Sequence, residues 1–270
     1  MSYQTLKVER RDKGVVLWTI DNPPANAIDD TLLEDLDKAV EEFGTDPETR
    51  VILVTSAHPK TFLAGADLKM MMQNAGDVAG KPGAIAAKSR RIQETFARIE
   101  QIPKPVIAAM NGHALGGGCE FALACDFRFL SKGYIGLSEV SLGLIPGAGG
   151  TQRLTRLLGR AKATELIFRA KRLTAEEAEG IGLITRAVEE ERLLPEALAF
   201  AEELAEGAVQ AMGLAKGCIL AASEGREDGY RCESEAFEKT LATGEPIEGF
   251  AAFFQKRKPQ FLPSKAGNRT

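Results

Sequence analysis

A cluster of three consecutive glycines, Gly116-Gly117-Gly118, most constrains what this chain can fold into. A short apolar run, Val106–Met110, precedes the cluster and ends at Asn111, and this pattern predicts a buried strand. The apolar run that follows the cluster is compatible with a helix. Glycines at a helix start leave backbone N–H groups uncovered at the positive end of the helix dipole. Such groups can stabilise developing negative charge. Because Glu120 lies two residues after the cluster, the segment predicts an anion-stabilising turn beside an acid.

The order of strand and helix patterns indicates an α/β fold. The apolar runs Gly14–Ile20 and Arg50–Ser56 predict strands, and the segment Asp30–Gly44 between them predicts an amphipathic helix. A strand, a helix and a second strand at this spacing favour parallel strands joined by crossovers. The composition shifts towards Ala, Glu, Leu and Lys near residue 190, so we expect a core of residues 1–190 that carries the site and a helical region of residues 191–270.

Composition and motifs exclude several classes of protein. A net charge of −4 offers no footprint for nucleic acid or an anionic membrane. A second glycine-rich region contains Gly143, Gly147, Gly149 and Gly150. Neither this region nor the glycine cluster matches a dinucleotide fingerprint or a phosphate-binding loop. Four cysteines and two histidines lack the spacing of a zinc site, so the sequence predicts no zinc site. The polar N-terminus and the absence of a long apolar run predict a cytoplasmic, non-membrane protein.

Two glutamates stand apart from the other acids of the chain. Glu120 lies in an apolar stretch and Glu139 flanks the second glycine-rich region, whereas most acids fall in clusters typical of exposed helices. One interpretation is structural: Glu120 is a buried acid paired with a base such as Arg128. The other is chemical: two carboxylates at one site raise the pKa of one of them and supply an acid and a base near neutral pH.

A second small-residue turn, Thr61–Lys69, resembles the glycine cluster on a smaller scale. The backbone N–H groups of Ala66 and Gly117 are therefore candidates for an oxyanion hole, although either turn alone is more often only a tight turn. His113 has no acidic partner near it in the sequence and is a weak candidate for a base. The basic segment Lys256–Lys258 is either a solvated helix end or a phosphate contact.

Four ordered segments resemble the crotonase (enoyl-CoA hydratase/isomerase) superfamily. The resemblance spans about residues 4 to 262, and its motifs are Thr61–Lys69, Lys104–Glu120, Leu142–Leu154 and Gly249–Lys258. It implies a crotonase-like spiral of ββα units followed by a helical C-terminal trimerisation region, assembled as a homotrimer or a dimer of trimers (a hexamer). It also implies an acyl-CoA thioester substrate and no metal or redox cofactor, coenzyme A being part of the substrate.

The resemblance also implies roles for individual residues. The thioester oxygen would lie between the N–H groups of Ala66 and Gly117. Glu120 would activate water and Glu139 would protonate Cα, the two titrating as a pair. The residues implied in binding the substrate or its CoA portion, the last two in a neighbouring subunit, are Pro24, Ala25, Ala64, Gly65, Asp67, Leu68, Lys69, Gly147, Phe253 and Lys256.

The activity that the resemblance implies is that of a hydro-lyase. A 2-enoyl-CoA hydratase of the fatty acid β-oxidation type would add water across the 2,3 double bond to give a 3-hydroxyacyl-CoA. Isomerisation of 3-enoyl-CoA to 2-enoyl-CoA, which needs one acid, and another acyl-CoA lyase reaction of the family are alternatives. A non-catalytic, RNA-binding relative is a third alternative, and the acidic net charge argues against it.

Overall fold

A computed structural model describes residues 2–65 and 83–262 of the chain. Among these residues the strands form a six-stranded sheet in the order β1-β2-β3-β5-β7-β9 and a three-stranded sheet in the order β4-β6-β8. The strands are β1 (Leu6–Arg10), β2 (Val15–Ile20), β3 (Val51–Ser56), β4 (Thr61–Leu63), β5 (Val106–Met110), β6 (His113–Leu115), β7 (Phe127–Leu130), β8 (Ile135–Gly136) and β9 (Arg186–Ala187).

The α-helices of the described residues are numbered in chain order. They are α1 (Asp30–Thr45), α2 (Ala84–Glu100), α3 (Gly117–Ala124), α4 (Gly150–Phe168), α5 (Ala175–Gly180), α6 (Leu193–Ala205), α7 (Val209–Ser223), α8 (Gly229–Ala242) and α9 (Glu245–Gln255). Short 3₁₀ helices lie at Asp12–Gly14, Glu139–Leu142 and Glu190–Arg192.

The two sheets are built by a repeated chain path. β3, β5 and β7 each lie in the large sheet, and the strand that follows each of them, β4, β6 or β8, lies in the small sheet. The pairings β3–β5, β5–β7, β4–β6 and β6–β8 are all parallel. Each turn therefore places one strand in each layer before the chain returns. This path confirms the α/β fold with a ββα spiral that the sequence and its resemblance predict.

Both faces of the large sheet are covered, which explains its continuous apolar strands. Val16 and Trp18 pack on one face with α1 and α2, while Val15 and Leu17 pack on the other. Alternate residues of a strand point to opposite faces, so a strand buried on both sides is apolar at every position. Helix α6 covers the second face with a stripe of small residues, Ala197, Ala201 and Ala205.

The predicted division near residue 190 falls between β9 and α6. Because α6 packs directly on the large sheet, packing does not separate the residues after 190 from the core. The division into units of 1–190 and 191–270 stays a prediction. The last strand of the large sheet, Arg186–Ala187, follows a turn in which Gly182 adopts a left-handed φ of 77°.

The helices α7 to α9 follow the core and carry many exposed apolar side chains. Helix α7 is tied to the core by Lys216, whose ammonium group donates to Asp126 at 2.7 Å. Exposed large apolar residues of α8 and α9 are Tyr230, Phe237, Leu241, Ile247, Phe250, Phe253 and Phe254. Within residues 2–65 and 83–262, no helix has both the length and the apolar character needed to cross a lipid bilayer.

Candidate active site

The glycine cluster brings the start of α3 into backbone contact with β4. A Cβ added to Gly118 would lie 1.9 Å from the carbonyl oxygen of Leu63, so only glycine fits there. A Cβ on Gly65 would lie 3.1 Å from the backbone nitrogen of Gly117. The amide of Gly117, at the positive end of α3, is thus adjacent to Gly65, which lies two residues after β4.

Glu120 is held in the first turn of α3 by backbone donors. Its side chain is buried, the residue being 2% exposed. Its Oε1 accepts hydrogen bonds from the N–H groups of Ala148 at 2.7 Å and Gly150 at 2.8 Å. Burial raises the pKa of Glu120, and these two amide donors and the nearby charge of Arg153 oppose that rise.

The ion pair between Glu120 and Arg128, which the sequence left open as an alternative, is not formed. Arg128 instead donates to the carbonyl oxygens of Leu183 at 2.9 Å and Cys125 at 2.6 Å. Its guanidinium therefore satisfies the C-terminal end of α3, where carbonyl groups lack helical partners. Glu120 is a buried carboxylate bound mainly by peptide groups, an environment that favours a chemical role over a structural ion pair.

Glu139 begins the 3₁₀ helix Glu139–Leu142 and presents its carboxyl group to the same region. Both carboxyl oxygens are buried and have no hydrogen-bond partner among the described residues, although the residue as a whole is partly exposed. Burial raises the pKa of Glu139 to about 7, and the charge of Glu120 adds to the rise. A Cβ on Gly116 would lie 3.3 Å from Oε1 of Glu139, so this carboxyl group is next to the glycine cluster.

The two glutamates therefore differ in their environments. Glu120 receives two amide hydrogen bonds, which stabilise an ionised carboxylate. Glu139 receives no hydrogen bond from another described residue, and burial raises its pKa to about 7 despite the opposing effect of its own backbone N–H. One group suited to accept a proton and another suited to donate one thus converge on the start of α3.

Backbone hydrogen bonds join the segment after Pro24 and Ala25 to Ala64 and Gly65, four residues that the resemblance implies in substrate binding. The turn that contains Pro24 and Ala25 is joined to the residues after β4, because the N–H of Ala64 donates to the carbonyl oxygen of Asn26 at 2.9 Å. The carbonyl oxygen of Gly65 accepts from the N–H of Ile28 at 3.3 Å. These bonds bring Pro24, Ala25, Ala64 and Gly65 together beside the amide of Gly117.

Sequence reasoning missed Asn26, which secures this turn. Asn26 is 1% exposed and adopts a left-handed φ of 53°, a conformation that asparagine tolerates. Its Nδ2 donates to Oγ of Ser56 at 2.7 Å. An asparagine shortly after a Pro-Pro pair is a turn signal, but its partner lies 30 positions away and leaves no local pattern.

Several other predicted site residues either lie outside the part of the chain that the structure describes or lie at the C-terminal end of α9. Ala66, Asp67, Leu68 and Lys69 lie outside the described residues, so their roles stay predictions. The ring of Phe253 on α9 is on the surface, 77% exposed. Lys256 follows α9 at its C-terminal cap with a φ of 54°. Helix α9 is held by Glu245, which accepts from the N–H groups of Gln210 and Ala211 on α7.

Gly147 lies in the loop between the 3₁₀ helix and α4, next to the Glu120 support. Its carbonyl oxygen accepts hydrogen bonds from Ser89 and Gln93 of α2, residues that the sequence did not single out. Arg153, also missed, follows the second glycine-rich region in the sequence Thr-Gln-Arg.

Across the part of the chain that the structure describes, no cluster of three or more His, Cys, Asp or Glu side chains is arranged to hold a metal ion.

Comparisons with known proteins agree with this architecture. A family model described as enoyl-CoA hydratase/isomerase matches residues 10–263. A crotonyl-CoA hydratase of Syntrophomonas wolfei is 40% identical over 97% of this chain and 99% of its own length. A short-chain-enoyl-CoA hydratase of Clostridium acetobutylicum is 38% identical over 96% of this chain and 97% of its own.

The fold also matches that of solved structures. The crystal structure of an enoyl-CoA hydratase from Bacillus anthracis superposes with a TM-score of 0.87 at 38% identity, covering 97% of this chain and 100% of that one. The family model, the relatives and this superposition extend over nearly the whole chain, including both glycine-rich regions and both glutamates. The chain therefore belongs to the enoyl-CoA hydratase/isomerase family.

Proposed function

We propose that this protein is a 2-enoyl-CoA hydratase, a hydro-lyase that adds water across the 2,3 double bond of a 2-enoyl-CoA to give a 3-hydroxyacyl-CoA. The observation that carries the proposal is the pair of buried carboxyl groups with different supports. Glu120 is bound by two backbone N–H groups, whereas Glu139 receives no hydrogen bond from another described residue and burial raises its pKa to about 7. Hydration requires one base and one acid on the same substrate.

In the proposed reaction, ionised Glu120 accepts a proton from water as the water oxygen bonds to Cβ. The electrons of the double bond move towards the thioester, and the protonated carboxyl group of Glu139 donates its proton to Cα. Glu120 ends the turnover protonated and Glu139 ionised, so a proton exchange with solvent restores the starting state. In total, one O–H bond and the π bond are lost, and one C–O and one C–H bond form.

The thioester oxygen gains negative charge during this step. We assign the N–H of Gly117 to its stabilisation, supported by the position of that amide at the start of α3 beside Gly65. The N–H of Ala66 is the proposed second donor, on the resemblance alone. Removing one donor of such an oxyanion hole typically lowers kcat by about 10²–10³.

The substrate's CoA portion would lie along the turn at Pro24 and Ala25 and the residues after β4. The hydrogen bond between Ala64 and Asn26, which joins these two segments, supports this placement. Asp67, Leu68, Lys69 and Gly147 complete the proposed substrate contacts. We propose no metal or redox cofactor, because the two carboxyl groups and the backbone amides account for each proton and charge in the reaction.

We propose that the protein assembles as a homotrimer or a dimer of trimers. The exposed apolar side chains of α8 and α9 support this, since contiguous exposed apolar surface marks an interaction site. Phe253 and Lys256 would then reach the adenine or a phosphate of a CoA bound to the neighbouring subunit. Participation in fatty acid β-oxidation is the metabolic role that such an activity fits.

The direct test follows the loss of the conjugated thioester absorbance when the purified protein is given crotonyl-CoA. We expect a steady loss that stops at the hydration equilibrium, together with formation of a 3-hydroxyacyl-CoA in the product mixture. A matched assay supplies a 3-enoyl-CoA. Gain of the conjugated band without any hydration of crotonyl-CoA would replace the proposal with the isomerase alternative.

A further inference from the structure

The loop that supports Glu120 is itself held from its opposite side by α2. Oγ of Ser89 donates to the carbonyl oxygen of Gly147 at 2.5 Å, and Nε2 of Gln93 donates to the same oxygen at 2.7 Å. Ser89 and Gln93 are four residues apart on α2 and therefore on one face, with Nε2 of Gln93 also 3.2 Å from Oγ of Ser89. Two side chains thus converge on one backbone carbonyl.

The peptide group between Gly147 and Ala148 connects this pair to Glu120. Its carbonyl oxygen accepts from Ser89 and Gln93, and its N–H donates to Oε1 of Glu120 at 2.7 Å. Hydrogen bonds in series through one peptide group polarise one another, which makes the N–H a stronger donor. The two side chains therefore act on Glu120 without contacting it.

A third side chain holds the next carbonyl of the loop. Nη1 of Arg153 donates to the carbonyl oxygen of Ala148 at 3.1 Å, and its Nε and Nη2 bind Oε2 of Glu100 at 2.9 and 2.8 Å. Gly149 has a left-handed φ of 105°, which favours glycine, and the absence of a Cβ leaves room for Nη1, which would lie 2.3 Å from an added Cβ. The buried pair of Arg153 and Glu100 fixes the loop relative to α2.

Several charged or titratable groups surround Glu120 on the elements that pack against α3. The 3₁₀ helix contributes Glu139, α4 contributes Arg153 with its partner Glu100 of α2, and α3 itself contributes the buried thiol of Cys119. Strand β4 has no titratable side chain. On β6, Nδ1 of His113 accepts from the N–H of Tyr134, and on the far side of α3 the guanidinium of Arg128 binds carbonyl oxygens.

We propose that Ser89 and Gln93 are positioning residues that hold the Gly147–Ala148 peptide so that its N–H stabilises and orients the ionised form of Glu120. The proposal rests on the hydratase function proposed above, in which Glu120 is the base that activates water. Both side chains line an open cleft of about 690 Å³ between α2, α4 and α7. They can therefore be exchanged at the surface of this cleft without opening the hydrophobic core.

The test compares variants that lose a donor with variants that keep one or change only the cleft. Ser89→Ala and Gln93→Leu each remove a donor, and Ser89→Thr retains a hydroxyl group. Gln101→Leu is the matched control, because Gln101 lines the same cleft and is exposed. Circular dichroism and thermal unfolding establish that each variant is folded before it is titrated.

The primary measurement is an infrared titration of the carboxyl group of Glu120 in the resting protein, with Glu120→Gln to assign the band. We expect its pKa to rise by roughly 0.5 unit in Ser89→Ala and in Gln93→Leu, since weakening one bond of a series weakens the next. The rise should be larger in the double variant. Ser89→Thr and Gln101→Leu should titrate like the natural protein. An unchanged Glu120 titration in the double variant overturns the proposal.

The second measurement is the pH profile of kcat/KM with crotonyl-CoA, which reports the free enzyme. The acidic limb of this profile should shift to higher pH by the same amount as the pKa measured by infrared titration, with little change in KM. A protein that fails to hydrate any 2-enoyl-CoA contradicts the proposed function, while the infrared titration still decides whether α2 acts on Glu120. A general loss of kcat with an unmoved acidic limb would show a merely structural role and also overturn the proposal.

Discussion

Gly116 lies against the carboxyl group of Glu139, such that a Cβ on Gly116 would be 3.3 Å from Oε1. The backbone of Gly116 has a φ of 55° and a ψ of −122°, a combination that side chains other than hydrogen rarely allow. The contact with Glu139 and the backbone conformation thus both require glycine at position 116. They also place the proposed acid beside the turn that precedes Gly117.

We therefore expect Gly116→Ala to lower both stability and activity. A strained backbone of this type costs on the order of 1–3 kcal/mol, and the added methyl group would displace the Glu139 carboxyl group. Urea unfolding and kcat on crotonyl-CoA measure the two effects. Gly225→Ala is the control, because Gly225 also has a positive φ of 66° but no atom within 4 Å of an added Cβ. Equal kcat values for the two variants would contradict the role of the Gly116 contact.

Replacing either glutamate by glutamine should nearly abolish hydration. General acid or base groups typically contribute about 10²–10⁴ in rate, and we expect losses in this range for Glu120→Gln and for Glu139→Gln. Because both groups act on the same substrate, the double variant should be little worse than the poorer single one. Glu176→Gln, on the exposed surface of α5, serves as the control. A Glu139→Gln variant with more than a tenth of the natural kcat would refute the proposed acid.

The raised pKa of Glu139 predicts the basic limb of the pH profile. In the hydration direction Glu139 must be protonated, so kcat/KM should fall as the pH rises through about 7. The acidic limb should report Glu120, whose carboxylate must be ionised to accept a proton. Steady-state rates across this range, with the buffers matched in ionic strength, test the assignment. A basic limb that stays at the same pH in Glu139→Asp would contradict the assignment of that limb to Glu139.

The same group makes stability depend on pH in a defined direction. The pKa of Glu139 is raised from 4.5 to about 7 on folding, so between these values the folded state binds more protons than the unfolded state. Stability contributed by the protonated carboxyl group is present below pH 4.5 and lost as the pH rises through about 7. Glu139→Gln should therefore gain stability relative to the natural protein at about pH 8 but not at about pH 4.5. Urea midpoints at the two pH values measure this, and equal differences at both would contradict it.

Much of the spiral could be predicted because its signals are local. The strands β2, β3 and β5 are continuous apolar runs bounded by turn residues, and these runs alone place them in a buried parallel sheet. The glycine cluster predicts the close approach that Gly118 makes to Leu63. Such features depend on backbone conformation within a few residues, and the residue types carry that information directly.

The support of Glu120 could not be predicted in the same way. The carboxyl group binds the backbone N–H groups of Ala148 and Gly150, and a backbone N–H is common to every residue type except proline, so these donors leave no signature in the sequence. The donors Ser89 and Gln93 lie 58 and 54 positions from Gly147, on the outer face of a helix where polar residues are expected for solubility alone. Only the three-dimensional path of the chain distinguishes them from ordinary surface residues.

The ion pair of Lys216 and Asp126 attaches the C-terminal helices to the core. Nζ of Lys216 lies 2.7 Å from Oδ2 of Asp126 and 3.2 Å from the carbonyl oxygen of Lys104, and its side chain is only 11% exposed. Removing one member of a fully buried pair typically costs about 3–5 kcal/mol, and the cost here should lie near the lower end because the side chain of Asp126 is 26% exposed. We expect Lys216→Met to lower the free energy of unfolding by a similar amount.

The double variant Lys216→Met with Asp126→Asn separates the pair from the packing around it. The N–H of Val106 donates to Oδ2 of Asp126 at 2.8 Å, and the amide oxygen of the substituted side chain would still accept this bond without leaving a charge behind. We expect the double variant to recover most of the lost stability, because no unpaired charge remains. Urea unfolding of the four proteins in one cycle measures the coupling. Additive losses would mean that Lys216 stabilises α7 through its aliphatic chain and not through Asp126.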